Sequence, residues 1–119
     1  MTDADIASQF LAGGKPRSHV LQTFFQRREL DAILSLYGRK VAEGEWRDYA
    51  IDGLKDEAVF SVFRRASEMP IYQIVKRPKL AKRQGMYAVI GATGQILKRG
   101  HDIGNVLRIF EKRNLRLID

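Results

Sequence analysis

The chain has 119 residues, enough for one domain of ordinary size, with 45% apolar and 29% charged residues. This balance is typical of a globular protein and excludes a disordered tail or a membrane protein. The absence of cysteine excludes a disulfide framework, a thiolate metal site and a cysteine nucleophile, and it fits a reducing compartment. Asp3 and Asp5 stand where a secretory signal would carry cations, and no long apolar run follows, so we expect a cytoplasmic protein.

Charge is divided unevenly between the two halves of the chain. Residues 1–60 contain 8 Lys and Arg against 10 Asp and Glu, a net charge of −2, whereas residues 61–119 contain 13 against 4, a net charge of +9. The overall charge of +7 raises the expectation of an anionic partner such as nucleic acid. Net charge alone, however, governs solubility and association rather than fold.

The N-terminal segment contains two adjacent glycines and a proline and lacks sustained hydrophobic periodicity, so residues 1–18 are predicted to form a mobile tail. Ile6, Phe10 and Leu11 have helical spacing, which leaves open a short helical turn that docks onto the folded domain. The segment VLQTFF at 20–25 combines Val, Thr and two Phe and predicts a β-strand.

A helix is predicted over 27–44, with Gly44 as its C-terminal stop. Gly38 costs about 1 kcal/mol relative to Ala inside a helix, which suggests a close contact at that position. The apolar residues recur at steps of three and four and define the stripe expected to face the core, which comprises Leu30, Ile33, Leu34, Tyr37 and Val41.

Two strands are predicted next, and they differ in pattern. Residues 46–52 alternate, with Arg47, Tyr49 and Ile51 on one face and Asp48, Ala50 and Asp52 on the other, which is typical of a half-exposed strand. Residues 58–66 are apolar on both faces, through Val59 and Phe63 on one side and Phe60 and Val62 on the other. This second pattern predicts a central strand covered from both sides.

The remaining strands are predicted at 71–77, 86–90 and 95–99. The last two form a hairpin, because the four residues Gly91-Ala92-Thr93-Gly94 suit a tight connection. This glycine-containing turn is no phosphate-binding P-loop, since it lacks the Lys-Ser/Thr pair and a strand rather than a helix follows it.

A second amphipathic helix is predicted after the hairpin, with Asp102 as its N-cap, and residues 115–119 form a final strand or an extended tail. Strands in runs predict an α+β fold, with a mostly antiparallel sheet of five to seven strands and two amphipathic helices in a single domain over 19–119. The predicted core comprises Leu30, Ile33, Leu34, Tyr37, Phe60, Val62, Ile74, Val89, Leu107 and Phe110.

Several long and unusual segments resemble a family of short bacterial proteins catalogued as domain of unknown function twenty-seven ninety-four. They are GEWRDYAID, RRASEMP, KRPKL and ILKRGHD, and the resemblance extends from about Phe24 to about Leu117. The family brings no activity, cofactor or catalytic residue. The resemblance therefore implies a small self-contained cytoplasmic domain and leaves the function to be argued from the residues.

Residues suited to catalysis or metal binding are sparse. The only histidines are His19 and His101, and His101 is the better catalytic candidate because it adjoins Asp102 at a helix N-terminus. The alternative, which we prefer, is that Asp102 caps the helix while His101 lies at the surface. The acidic residues do not follow a calcium-loop spacing. We therefore predict no catalytic residue, no cofactor and no metal.

The segment KRPKLAKRQG is the most cationic in the chain. A hairpin returns the chain to the same edge of an antiparallel sheet, so the cations of 76–83 are expected to meet those at 98–99, whereas those at 64–65 lie at the opposite edge. Phosphates could bind there, with Tyr72 or Tyr87 stacking on a base. The predicted anion-binding residues are Lys76, Arg77, Lys79, Lys82, Arg83, Lys98 and Arg99. The alternative is a solvated loop, since no RRM, KH or helix-turn-helix pattern is present.

Two functions remain open. The first is a non-enzymatic protein-interaction or oligomerisation module, either a homodimer or a complex with another protein. It is favoured because two helices cover little of such a sheet, so its second face needs self-association, the N-terminal segment or a partner for burial. The second is nucleic-acid or polyanion binding through the basic 76–83/98–99 surface.

Overall fold

The computed structural model describes residues 21–65 and 69–111. These residues form a five-stranded antiparallel sheet in the order β1-β2-β3-β4-β5, with two helices on one face. The elements are α1 (Arg27–Ala42), β1 (Asp48–Gly53), β2 (Ala58–Phe63), β3 (Tyr72–Lys76), β4 (Tyr87–Gly91), β5 (Ile96–Gly100) and α2 (Ile103–Leu107), with 3-10 turns at Pro78–Leu80 and Arg108–Phe110. The predicted α+β fold is confirmed.

The register of the sheet aligns apolar residues in rows across the strands. Phe60 pairs with Ile51 on one side and with Ile74 on the other, and Ile74 pairs with Val89. Since side chains in register lie on the same face, this row forms the floor on which the helices pack. Short connections join each strand to its neighbour, which is why every pair is antiparallel.

The core lies between the two helices and this face of the sheet. Seven of the ten predicted core residues are buried, namely Ile33, Phe60, Val62, Ile74, Val89, Leu107 and Phe110. Leu30 and Tyr37 are half-buried against the core, whereas Leu34 is 38% exposed, so its assignment to the core was wrong. The largest residue that the prediction omitted is Trp46, which contacts the rings of Tyr37 and Phe110.

Helix α1 buries a different line of residues from the predicted stripe. Its buried residues are Glu29, Ile33, Leu36 and Lys40, which follow helical spacing with a charged residue at each end. The remaining residues of the predicted stripe each come one position after a buried residue, which places them about 100° further round the helix. They are Leu30, Leu34, Tyr37 and Val41. The predicted stripe therefore mixed one core residue, Ile33, with four residues of the helix flank.

The second face of the sheet is also buried at its centre. Val59, Ser61, Val75 and Ala88 alternate with the helix-facing residues and have 6%, 6%, 2% and 5% exposure. The prediction that β2 is buried on both faces is confirmed. The N-terminal segment, one of the covers considered for this face, lies outside the described residues.

Residues 21–26 do not form the strand predicted over 20–25, and Val20 lies outside the described residues. Instead Thr23 N–H donates to the Leu54 carbonyl at 2.6 Å, and the Thr23 hydroxyl donates to the Lys55 carbonyl at 3.0 Å. Gln26 then caps α1, with its N–H donating to Glu29 Oε1 at 2.6 Å. The apolar pattern that predicted a strand belongs to a segment that ties the start of α1 to the β1–β2 turn.

Three further local predictions have clear outcomes. Gly44 follows α1 with φ +79, as expected of a C-terminal stop, and Asp102 caps α2 by accepting Asn105 N–H at 2.8 Å. The close contact expected at Gly38 is absent from the described structure, because a methyl group placed there would meet nothing within 4 Å. The predicted tail 1–18 and final strand 115–119 lie outside the described residues.

Candidate functional site

The basic segment lies at one end of the sheet. Lys76 at the end of β3 pairs with Ala58 and Tyr87, and Tyr87 pairs with Gly100, so the β1–β2 turn, the β3–β4 connection and the end of β5 share this end. The expected convergence of residues 76–83 with residues 98–99 is therefore present in the topology. Phe63 pairs with the first residue of β1 at the opposite end of the sheet. Arg64 and Arg65, which follow Phe63, therefore lie away from the basic segment.

Three of the predicted anion-binding cations are already engaged within the chain. Lys76 is 6% exposed and donates to Glu29 Oε1 at 2.9 Å and to the Phe24 carbonyl at 3.0 Å. Arg77 Nε donates to Glu57 Oε1 at 2.7 Å, and Lys79 Nζ lies 3.1 Å from Asp56 Oδ1. Lys76 is thus an interior residue, and carboxylates neutralise the other two.

Glu29 is the centre of a buried polar cluster with Lys76 and Tyr87. The Tyr87 hydroxyl donates to Glu29 Oε2, while Glu29 Oε1 accepts from Lys76 and from Gln26 N–H. Burial alone would raise the pKa of Glu29, but the hydrogen bonds from Tyr87, Gln26 and Lys76 and the Lys76 charge lower the pKa below its ordinary value. Burial and the Glu29 carboxylate raise the pKa of Tyr87 to about 12. These residues are 1–6% exposed, so the cluster fastens α1 to the sheet.

The other four predicted cations are more accessible. Lys82 and Arg83 are exposed and form no ion pair within residues 21–65 and 69–111. Lys98 pairs with Val89 on the helix-covered face and is half-buried, whereas Arg99 pairs with Ala88 and is exposed on the second face. The strand alternation therefore separates Lys98 from Arg99, although both lie near the same end of β5.

Neither predicted stacking tyrosine lies at an open surface of the basic end. Tyr87 is 1% exposed with its hydroxyl on Glu29. Tyr72 pairs with Gly91 at the opposite end of the sheet, and its ring packs edge-on against Phe110 with centroids 4.9 Å apart. The structure thus brings part of the basic set together without an aromatic platform.

A different surface concentrates the exposed apolar side chains. Six of the nine large hydrophobic residues that are exposed in the described structure lie around β1 and the adjoining flank of α1. We call this the flank surface, and it comprises Leu34 and Val41 of α1, Tyr49 and Ile51 of β1, and Phe24 and Leu54 beside the β1–β2 turn.

Contacts along β1 make the flank surface continuous. The rings of Tyr37 and Tyr49 meet edge-on at 4.9 Å, which joins the α1 flank to the strand. Tyr49, Ile51 and Gly53 share one face of β1, and the Phe24 ring lies over Gly53, 2.5 Å from where its Cβ would be. Exposures of 40% for Tyr49 and 43% for Ile51 show that α1 leaves this strip open.

The outer edge of β1 is open within the described structure, where β1 pairs only with β2. Leu54 N–H donates to the Glu57 carbonyl, so the backbone of residue 54 faces β2. Along an antiparallel strand, the N–H and C=O groups of successive residues point alternately toward one neighbour and toward the other side. The backbone groups of Tyr49, Ile51 and Gly53 therefore point away from β2. Tyr49 N–H is satisfied by Asp48 Oδ1 at 2.8 Å.

A second concave region lies between α1 and α2. This open groove has a volume of about 370 Å³ and is lined by Ala32, Leu36, Leu107 and Phe110 together with charged residues such as Arg39 and Glu43. Lys40 in the groove lies 3.4 Å from Glu43 Oε1 and 3.6 Å from Glu45 Oε1. Its charge is therefore balanced within the chain.

Across 21–65 and 69–111, no cluster of three or more His, Cys, Asp or Glu side chains is placed to hold a metal ion. In the same ranges no helix is long and apolar enough to cross a membrane.

The fold and surfaces define a small α+β domain in which a five-stranded antiparallel meander carries two helices on one face. The family described as "Protein of unknown function (DUF2794)" matches residues 23–107, and the chain belongs to this family. The resemblance noted in the sequence is confirmed over most of its expected length. No curated protein and no solved structure matches the chain.

Proposed function

We propose that this chain is a protein-interaction module that binds a protein strand along the outer edge of β1. The observation that carries the proposal is the coincidence of an open strand edge with the main concentration of exposed apolar side chains in the described structure. Partners that add a strand to a sheet gain backbone hydrogen bonds from the edge and specificity from alternate side chains. The flank surface offers both.

The α1 flank supports the same proposal. Leu30, Leu34, Tyr37 and Val41 form a regular apolar line although the buried line of the helix lies elsewhere. Leu30 and Tyr37 of this line are half-buried against the core, whereas Leu34 and Val41 remain 38% and 42% exposed. Their exposed apolar area would gain about 25 cal/mol per Å² if a partner covered it.

The chain offers a matched pair of positions for testing the proposal. Ile51 on β1 and Ile96 on β5 both lie on edge strands, with exposures of 43% and 44%. A photo-crosslinking amino acid at position 51 is expected to capture a protein in the producing cells, whereas position 96 gives only background. The captured protein should then bind the purified Ile51→Lys variant about tenfold or more weakly, because a lysine breaks apolar contact and blocks edge pairing.

The Ile96→Lys variant is the control and should bind the captured protein as the wild type does. Identical adducts at positions 51 and 96 would contradict the proposal. Equal binding of the captured protein by both lysine variants would contradict it as well.

Anion binding is a second candidate function, and the exposure of Lys82 and Arg83 without intrachain ion pairs in the described structure favours it. Both lie in the connection that reaches the end of β5, where Arg99 is also exposed. Contact with a polyanion would use phosphates rather than base edges, because flexible cations carry no sequence information.

A salt titration with single- and double-stranded oligonucleotides tests this second candidate. About four phosphate contacts would give a slope of log affinity against log salt of roughly −0.9 per phosphate on duplex DNA and −0.7 on single strands. The variant Lys82→Ser/Arg83→Ser should make the duplex slope shallower by about 2, since two contacts are removed. The control Arg77→Ser/Lys79→Ser removes equal charge from paired positions and should change the slope little. Equal slopes in both variants, or no binding at low salt, would refute polyanion binding.

A further inference from the structure

We infer that the occupant of the flank surface is a second copy of this chain, paired through β1 in antiparallel orientation about a two-fold axis that passes beside Ile51. This inference rests on the proposed function and names its partner. The result would be a closed dimer in which the five described strands of each copy form one continuous sheet across the two β1 edges.

The backbone restricts how two copies of β1 can pair. Only Tyr49, Ile51 and Gly53 direct their N–H and C=O groups outward, so these residues must oppose one another across a two-fold axis. For a strand of six residues, only registers centred on Ala50 or on Ile51 keep five residues of each copy in register. All other symmetric registers with correct hydrogen bonding overlap less.

Charge selects between these two registers. The register centred on Ala50 places Asp48 directly opposite Asp52 of the second copy, twice per dimer, and directly opposed like charges are destabilising. The register centred on Ile51 places Asp52 opposite Ala50. It also places Asp48 opposite Leu54 and Arg47 opposite Lys55 of the second copy, so each Lys55 lies across from one like charge and diagonal to the Asp48 carboxylate. The Ile51 register is favoured because it removes both Asp48–Asp52 oppositions from the ladder. Its own like-charge pair lies outside β1, where the long side chains of Arg47 and Lys55 can separate and Lys55 can turn toward Asp48.

The apolar side of β1 fits the same register. Ile51 would lie against its own symmetry mate, and Tyr49 would lie opposite Gly53 of the second copy, over which the Phe24 ring is placed. Tyr49 N–H, now held by Asp48, would donate to the Gly53 carbonyl of the second copy and release Asp48 toward Lys55. Phe24, which is 61% exposed, would become a contact of Tyr49 across the axis.

Single cysteines test the register cleanly because the sequence contains no cysteine. In the inferred dimer, Ile51 and its symmetry mate have Cα atoms about 5.5 Å apart, within the range that a disulfide spans. Ala50 and its mate are diagonal neighbours at about 7–8 Å, beyond that range. Ala92, exposed in the β4–β5 turn, serves as the control for random collision.

Under mild oxidation, Ile51→Cys is expected to form a covalent dimer at least about tenfold faster than Ala50→Cys or Ala92→Cys. Faster crosslinking of Ala50→Cys would overturn the inferred register. Equal rates for all three variants, with a monomer in sedimentation, would overturn the homodimer. The proposed function would survive that last result if the crosslinker at Ile51 captured a different protein.

Charge reversal provides an independent measurement of the same arrangement. Asp48→Lys is expected to weaken dimerisation about tenfold, because Lys55 of the second copy then faces two cations, Arg47 and the new lysine, at each end of the pairing. The double variant Asp48→Lys/Lys55→Asp places a carboxylate opposite both cations and should return the dissociation constant to the wild-type value or below it. A double variant that dimerises as weakly as Asp48→Lys would overturn the Asp48–Lys55 contact and the register that depends on it.

Discussion

The Lys76→Met variant is expected to lose about 3–5 kcal/mol of unfolding free energy, because it leaves the Glu29 carboxylate buried without its cation. Glu29 is 1% exposed and Lys76 is 6% exposed, so water cannot replace the lost partner without opening the structure. Methionine retains the length of the lysine stem, so the loss reports charge rather than a cavity. Urea denaturation at pH 7 measures it.

The double variant Glu29→Gln/Lys76→Met is the informative control. A glutamine at position 29 carries no charge; its amide oxygen can accept from Gln26 N–H while its NH2 group donates to the Tyr87 hydroxyl oxygen. We expect it to recover at least about 2 kcal/mol relative to Lys76→Met, since removing both charges costs less than removing one. If the loss of unfolding free energy in the double variant equalled the sum of the losses in Glu29→Gln alone and Lys76→Met alone, Glu29 and Lys76 would not interact.

The same pair predicts a pH dependence with a definite sign. The folded-state pKa of Glu29 lies below its ordinary value of 4.5, so the folded protein binds that proton less readily than the unfolded chain. The resulting stabilisation is complete above about pH 4.5 and is lost as pH falls through the folded-state value. The penalty of Lys76→Met should therefore shrink in acid, where protonation neutralises Glu29. A penalty that grows toward low pH would contradict this assignment.

The sequence predicted strand positions well because side-chain alternation and turn residues are local signals. The five strands from β1 to β5 and the Asp102 cap required no knowledge of tertiary contacts. The segment 20–25 failed because its apolar residues serve long-range anchoring, with Phe25 buried and Thr23 bonded to the β1–β2 turn. Propensity cannot distinguish an anchoring segment from a strand.

The basic segment illustrates why site residues are harder to predict than strands. Its cations are adjacent in sequence, but Lys76 lies on the buried face of β3 while Arg77 and Lys79 meet carboxylates from the β1–β2 turn. Those pairings join residues about 20 or more positions apart along the chain. Only the tertiary fold therefore determines which of the cations remain free.

The α1 pattern contained a signal that sequence reasoning did not use. Two of the four buried positions of α1 are charged, namely Glu29 and Lys40. A pattern based on apolar residues alone therefore predicts the flank of the helix as its buried face. At about 100° per residue, Ile33 and the line through Leu30, Leu34, Tyr37 and Val41 span about 100°. Leu36 extends this apolar arc to about 160°, which is wider than the stripe of about 100° with which a helix commonly faces a core. Such width indicates a second contact, which is the role that we propose for the flank surface.

The Gly85→Ala variant is expected to destabilise the fold by about 2–6 kcal/mol, from backbone strain of about 1–3 kcal/mol and overpacking of a similar size. Gly85 has φ +104, which side chains rarely adopt. A Cβ there would lie 2.6 Å from both the carbonyl carbon and oxygen of Gly100 and 2.9 Å from its Cα. Because all three are backbone atoms, the contact can be relieved only by separating the β3–β4 connection from β5.

Gly94→Ala separates the two contributions to this loss. Gly94 has a similar φ of +90 but would meet nothing within 4 Å, so its variant should lose only the strain of about 1–3 kcal/mol. Thermal and urea unfolding of both variants would measure the difference, which reports the approach of Gly85 to Gly100. Equal losses would show that the β3–β4 connection moves away from β5 at little cost. In that case the connection would not fix Lys82 and Arg83 beside Arg99, and the second candidate function would lose its geometric support.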